Sequence, residues 1–131
     1  MSERYLLDAN ALIALAIVEH EHHERAARWL LGAAEILLCP VVEGALCRLL
    51  VRSGVRGNDA RELLQAFYGE PRISFCQDSI SYCDADLDHV VGHRQMTDAY
   101  LASLAEESGS RLATFDKALV GERPDVATMI P

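Results

Sequence analysis

Short apolar runs alternate with longer stretches at helical spacing, and this alternation predicts the elements. Arg4–Leu7 is a brief apolar run that stops at Asp8-Ala9-Asn10, which predicts a strand. Residues 11–19 are apolar on nearly every side, as a buried helix is, and 20–31 continue as a more polar helix with Ala26, Ala27, Leu30 and Leu31 at core spacing. Glu35–Leu38 predicts a second strand, closed by Cys39-Pro40. The proline suits the first turn of a helix that runs to about Ser53-Gly54, where glycine is a natural stop. Asn58 reads as the N-cap of a helix through Tyr68. Further on, 72–75 predict a third strand, 79–91 a helix and 97–107 a helix closing at Ser108-Gly109. A fourth strand at 111–115 is ended by Asp116, and a short last strand falls at 126–129.

Strands alternating with helices define an α/β domain, with a mainly parallel central sheet of four to five strands and helices on both faces. No linker, repeat or low-complexity tract interrupts the chain, so 1–131 is expected to form a single domain. The run 11–18 is far shorter than the ~20 apolar residues that span a bilayer, and the N-terminus lacks a signal-peptide pattern. No membrane association and a cytoplasmic location follow as expectations. Cys39, Cys47, Cys76 and Cys83 form no C-x-x-C pair, and buried thiols in a reducing compartment are expected.

The net charge of -8 changes the picture. A protein that binds nucleic acid by covering phosphates is expected to be basic. An acidic one can act on RNA where cations neutralise its carboxylates and local arginines meet the backbone, and its charge suits a basic protein partner.

The carboxylates fall in telling places. Asp8 and Asp116 each directly follow an expected strand, and ligands of an open parallel sheet bind beyond the C-terminal strand ends. Glu43 lies in the first turn of the helix after Pro40, at the margin of the stripe formed by Val42, Ala45, Leu46, Leu49 and Leu50. Asp98 opens the helix after Thr97, in the middle of the stripe Leu101, Ala102 and Ala105. There a carboxylate must be paired or carry a large desolvation penalty. Helix N-termini share the edge with the strand ends, so all four acids can converge. Converging carboxylates repel unless a counter-charge intervenes, and all-oxygen donors suit Mg²⁺ or Mn²⁺ better than zinc. Asn10 can hydrogen-bond a metal-bound carboxylate or water. Taken singly, each acid has a plainer reading: Asp8 and Asp116 as turn residues, Asp98 as a helix-start residue, Glu43 as a surface acid.

Four pieces of the chain, Leu6-Leu7-Asp8-Ala9-Asn10-Ala11-Leu12-Ile13, Pro40-Val41-Val42-Glu43-Gly44, Thr97-Asp98-Ala99-Tyr100-Leu101-Ala102 and Leu112-Ala113-Thr114-Phe115-Asp116, resemble the PIN-domain family. Within it, the length and the run His93-Arg94-Gln95-Met96-Thr97-Asp98-Ala99 look most like a VapC toxin of VapBC toxin–antitoxin systems. The resemblance implies Asp8, Glu43, Asp98 and Asp116 as catalytic metal ligands, with Asn10 matching the polar residue two after the first acid. It implies Mg²⁺- or Mn²⁺-dependent RNA hydrolysis by metal-activated water, leaving 5′-phosphate and 3′-hydroxyl ends. It also implies inhibition by a VapB-type antitoxin and a homodimer. Unpaired RNA loops are the expected targets, because side chains read bases best there.

Other residues suggest less. His20, His22 and His23 read as helix-start or surface residues, since zinc needs more convergent ligands. Asp84, Asp86 and Asp88 lack the glycine and closing glutamate of a calcium loop and read as a solvated helix start. Arg48, Arg52, Arg56 and Arg61 form the densest basic stretch, open to RNA, salt-bridge or antitoxin roles. Arg94 and Lys117, beside two of the acids, are the better candidates for phosphate contact. Leu12, Leu30 and Leu31 default to the core, with a partner groove as the alternative. Two other functions are compatible with acids at strand ends: a receiver-type, Mg²⁺-binding phosphoacceptor domain and a non-catalytic PIN-like binding module. Against the receiver, only one acid follows the first strand, and Glu43 opens a helix where a receiver carries its phosphorylated aspartate after a strand.

Overall fold

The computed structural model describes residues 3–131. Five strands, β1 (Arg4–Leu7), β2 (Glu35–Leu38), β3 (Ile73–Phe75), β4 (Arg111–Thr114) and β5 (Ala127–Met129), form one sheet in the order β3-β2-β1-β4-β5. Every neighbouring pair is parallel; Leu6 stands between Leu37 and Leu112. Strands buried on both faces need unbroken apolar runs, and Leu6, Leu7, Ile36, Leu37, Leu38, Leu112 and Ala113 supply them, all buried.

Six helices complete the fold: α1 (Ala9–Ala16), α2 (His23–Gly32), α3 (Pro40–Arg52), α4 (Gly57–Tyr68), α5 (Met96–Glu107) and α6 (Lys117–Glu122). The crossovers from β1 to β2 to β3 move one way along the sheet, and those from β3 to β4 to β5 move the other way. Right-handed crossovers therefore set α1–α4 on one face and α5 and α6 on the opposite one. α1 packs on α2 and α3, and α3 on α4, while α5 lies on β1 and β4 with every residue of 99–105 buried. Its alanines at 99, 102 and 105 let it sit close to the sheet.

Several expected elements differ. The two N-terminal helices are shorter and separate: α1 ends at Ala16, Ile17 is extended, and α2 begins only at His23. The break is held by side chains competing with the helical ladder, since the His22 N–H donates to His20 Nδ1 at 3.0 Å and His23 Nδ1 bonds the Ala14 carbonyl at 2.8 Å. Arg56, not Asn58, is the N-cap of α4. The helix expected at 79–91 is absent; only a 3-10 turn, Tyr82–Asp84, forms there. Ser81 and Asp84 cap that turn reciprocally, Asp86 bonds the Asp88 N–H at 3.1 Å, and the Asp86 N–H leaves for the Ser103 hydroxyl at 2.9 Å. Local bonds of this kind replace a helical ladder. α6 was not expected at all. Of the thiols only Cys39 is buried, and Cys83 is exposed, against the expectation for all four. Leu31 is also exposed, outside the core where its spacing put it.

Candidate active site

The direction of the crossovers reverses between β1 and β4, and a parallel sheet opens a crevice at such a switch point beyond the strand ends. Asp8 follows β1 directly, Asp116 stands two residues past β4, and Asp98 lies in the first turn of α5.

Asp8 is 3 % exposed. Its Oδ1 caps α1 by accepting the Ala11 N–H at 2.8 Å, and its Oδ2 accepts the hydroxyl of Thr114. Thr114 is fully buried, and its Oγ1 in turn accepts the Asp116 N–H at 3.0 Å. One hydroxyl thus ties the end of β1 to the end of β4. Asp116 is exposed and caps α6, its Oδ1 accepting from Ala118 and Leu119 at 2.9 and 3.3 Å. Its Oδ2 receives no donor among the described residues. Asp98 is half-buried, and neither of its oxygens accepts a hydrogen bond there.

The three carboxylates act on one another. Burial pushes Asp8 up to about 6; the Thr114 and Ala11 hydrogen bonds oppose this, and the charges of Asp98 and Asp116 add to it. Asp98 is raised too, first by burial and then by Asp116. No basic side chain relieves them. Arg94 and Lys117 are both exposed, and neither forms an ion pair among the described residues.

Glu43 stands apart from this trio. It lies half-buried in the first turn of α3, which starts immediately after β2, so it shares the sheet edge. Its Oε2 accepts the Tyr68 hydroxyl at 2.5 Å, and its charge is not among those raising Asp8 or Asp98. Tyr68 is itself held protonated by burial and by that carboxylate. Asn10 is exposed and lines, with Asp116, a cleft of about 310 Å³.

Whether a divalent cation fits follows from these donors. Among the described residues no three His, Cys, Asp or Glu side chains form a group able to hold an ion directly. Mg²⁺ commonly keeps several waters and takes only one or two carboxylates. Asp98 without a partner, a free Oδ2 on Asp116, the mutual repulsion and the all-oxygen chemistry fit a hydrated hard cation. A small cavity of about 40 Å³ between Asp98, Asp116, His89, Gln95 and Glu122 adjoins these oxygens.

The fold and this edge define a class. A model of the PIN domain matches residues 5–120, and the chain belongs to the PIN-domain family. Within the family it falls among the VapC proteins: it is similar to Ribonuclease VapC29 of Mycobacterium tuberculosis, 46% identical over 127 residues that cover 96% of each chain. It is also similar to Ribonuclease VapC38 of the same organism, 38% identical over 129 residues, covering 91% of this chain and 92% of that one. Among solved structures, VapC20 of M. tuberculosis, described as a sarcin-ricin loop cleaving toxin, superposes with a TM-score of 0.65 at 14% identity. It covers 90% of this chain and 94% of its own, a likeness of fold alone. The match excludes the receiver-type reading.

Several residues around the acids escaped the sequence. Thr114 reads as an ordinary strand residue, and only its place one step before Phe115-Asp116 hints at its role. Tyr68, at the far end of α4, carries no signal for its bond to Glu43. His89 has its Nε2 buried without a hydrogen-bond partner, 3.9 Å from Glu122 Oε2. Of the three histidines read as helix-start or surface residues, His23 does open α2, while His22 stacks on Phe115 beside Asp116. The arginines at 48, 52, 56 and 61 are exposed and make no ion pair among the described residues.

Proposed function

We propose that this chain is a metal-dependent endoribonuclease toxin of a type II toxin–antitoxin system, with Asp8, Glu43, Asp98 and Asp116 as its catalytic acids and Mg²⁺ or Mn²⁺ as its cofactor. The observation that carries the reading is the trio Asp8, Asp98 and Asp116. Three acids from three distant segments stand at the edge of the switch point, where Asp98 and Asp116 raise Asp8 and Asp116 raises Asp98, with no basic side chain to offset them. Relatives that bear the name ribonuclease across nearly the whole chain support the same reaction. A hard divalent ion in such a site lowers the pKa of water and stabilises charge on phosphate oxygens.

This chain's own residues set the geometry. Thr114 fixes the Asp8 carboxylate relative to the Asp116 backbone. Asp98 and the free Oδ2 of Asp116 offer oxygens to the cation or its waters. Glu43, oriented by Tyr68, closes the edge from the α3 side, and Asn10 hydrogen-bonds water or carboxylate beside Asp116. Arg94 and Lys117, exposed on either side, meet phosphates of the RNA backbone. No side-chain nucleophile is needed, so products should carry 5′-phosphate and 3′-hydroxyl ends.

The five-stranded sheet, drawing on residues from Arg4 to Met129, supports one PIN domain over 1–131. Action in the cytoplasm is the location proposed; no helix among the described residues is long and apolar enough to cross a membrane. A VapB-type antitoxin is the expected partner: VapBC2 of Rickettsia felis, solved bound to a DNA fragment from its promoter, is a complex on the same fold (TM-score 0.64). The chain is expected to form a homodimer, and a basic antitoxin segment entering the acidic pocket suits the charge of -8. Incubating purified protein with single-stranded RNA, with Mn²⁺ or with a chelator, tests the reading. Cutting that needs the ion and yields 5′-phosphate ends supports it; cutting unaffected by chelation, or cyclic-phosphate ends, contradicts it.

A further inference from the structure

The cleft of about 310 Å³ that Asn10 and Asp116 line on one side is lined on the other by His20, Glu21, His22 and Phe115. His22 lies flat on Phe115, with ring centroids 4.6 Å apart and planes at 21°. The Arg25 guanidinium sits 4.9 Å from the centroid of the same Phe115 ring and approaches His22 Nδ1 to 3.1 Å. Arginine has no acceptor, so His22 Nδ1 must accept this bond and the ring proton resides on Nε2. The His22 backbone N–H donates to His20 Nδ1 at 3.0 Å, which places the His20 proton on Nε2 as well. The segment between α1 and α2 thus presents two imidazoles with centroids 5.7 Å apart, each with its tautomer fixed and one N–H left over. The nearest acceptor is the Glu21 carboxylate, 3.5 Å from His22 Nε2 and itself largely exposed.

We propose that this cleft is a nucleobase subsite, which seats the base of the nucleotide next to the cleaved phosphate edge-on to His20 and His22 and reads its acceptor atoms with their Nε2–H groups. The inference rests on the ribonuclease reading above and extends it to substrate selection. Unpaired bases are recognised by hydrogen bonds to their exposed edges. The volume is at the lower end of small-molecule sites, ~300–1,000 Å³, a size that suits one nucleoside rather than a helix. A phosphate in the same place would meet Asp116 and Glu21, whereas a neutral base carries no charge to oppose theirs. The cleft shares Asp116 with the acidic trio, so a base seated there belongs to a nucleotide whose phosphate lies at the acids.

The test uses a random-sequence single-stranded RNA pool with Mn²⁺, reading the bases around each cut by sequencing product 5′ ends. His22→Phe keeps a ring on Phe115 but removes the donor, and His20→Ala removes the second donor; thermal melts confirm that both variants fold. The wild type is expected to show a base preference at one position adjoining the cut, and each variant to lower that preference about fivefold or more while still cutting the pool. An adjoining-base preference retained at full strength in both variants overturns the subsite, as does a wild type that cuts with no preference there. A wild type that cuts nothing overturns the ribonuclease reading and the subsite with it.

Discussion

Asp98 carries the sharpest single-residue expectation, because it is a half-buried carboxylate with no hydrogen-bond donor and a second acid acting on it. Asp98→Asn removes a charge that only a cation can compensate. RNA cleavage should fall at least about 100-fold, on the order of 3 kcal/mol of transition-state stabilisation. The metal-free protein should meanwhile melt a few degrees higher, since roughly 1 kcal/mol is worth about 4 °C for a domain of this size. Cleavage assays paired with melts separate the two effects, and a folded variant that cuts at the wild-type rate would remove Asp98 from the site. Thr114 makes a complementary case. Its buried hydroxyl donates to Asp8 and accepts from the Asp116 N–H. Thr114→Val, nearly the same shape, strands both partners and should lower stability by about 1–3 kcal/mol, measured by denaturant unfolding.

At the scale of elements, Arg123 is one of the side chains that hold the 79–91 segment, where no α-helix forms. Arg123 is buried, bonds Asp125 through Nε and Nη2 at 3.1 Å, and lies within 4 Å of Asp86 and Glu106. It joins the 79–91 segment, α5 and the turn after α6. Its exposed acidic partners can return to water, so Arg123→Ala should destabilise by about 1–3 kcal/mol rather than by the larger loss of a fully buried pair. Hydrogen exchange in 79–91 should rise with it; unchanged exchange there would show that Arg123 does not hold the loop. The strands and most helices are legible because period and caps agree: Ile36–Leu38 is an unbroken apolar run, and Pro40 marks the start of α3. The irregular segment is not, because Leu87, Val90 and Val91 mimic a helical stripe while Ser81, Asp84 and Asp86 bind local backbone instead. α6 is hard to read for a different reason: its six residues are too few to show a helical period, and only the Asp116 cap marks its start. Asp8 and Asp116, whose plainer reading is as turn residues, instead cap α1 and α6. Glu43 and His22 show where sequence stops: their partners, Tyr68 and Phe115, lie 25 and 93 residues away, and only the fold brings them together.

Across the whole molecule, charge and metal govern behaviour. Asp8 titrates near 6 when folded and near 3.8 in its ordinary state. The folded form therefore holds its proton over that interval, and the metal-free protein keeps the whole of this group's contribution below about pH 4. It should then lose stability as pH rises to about 6, by on the order of 3 kcal/mol from this group alone. Chemical unfolding in chelator across this range checks the sign; rising stability over it would contradict the buried, unrelieved carboxylate. A cation reverses the trend by favouring the ionised form, so its binding should release protons below about pH 6. An ion at 100 times its dissociation constant adds about 2.7 kcal/mol of stability. The most direct measurement is a Mn²⁺ titration of the wild-type chain and of Asp98→Asn at neutral pH, followed by electron paramagnetic resonance. The account predicts bound Mn²⁺ in the wild type and affinity weakened at least about tenfold in the variant, the loss expected when one paired charge is removed. A folded wild type that binds no ion, or a variant that binds it equally well, would contradict it.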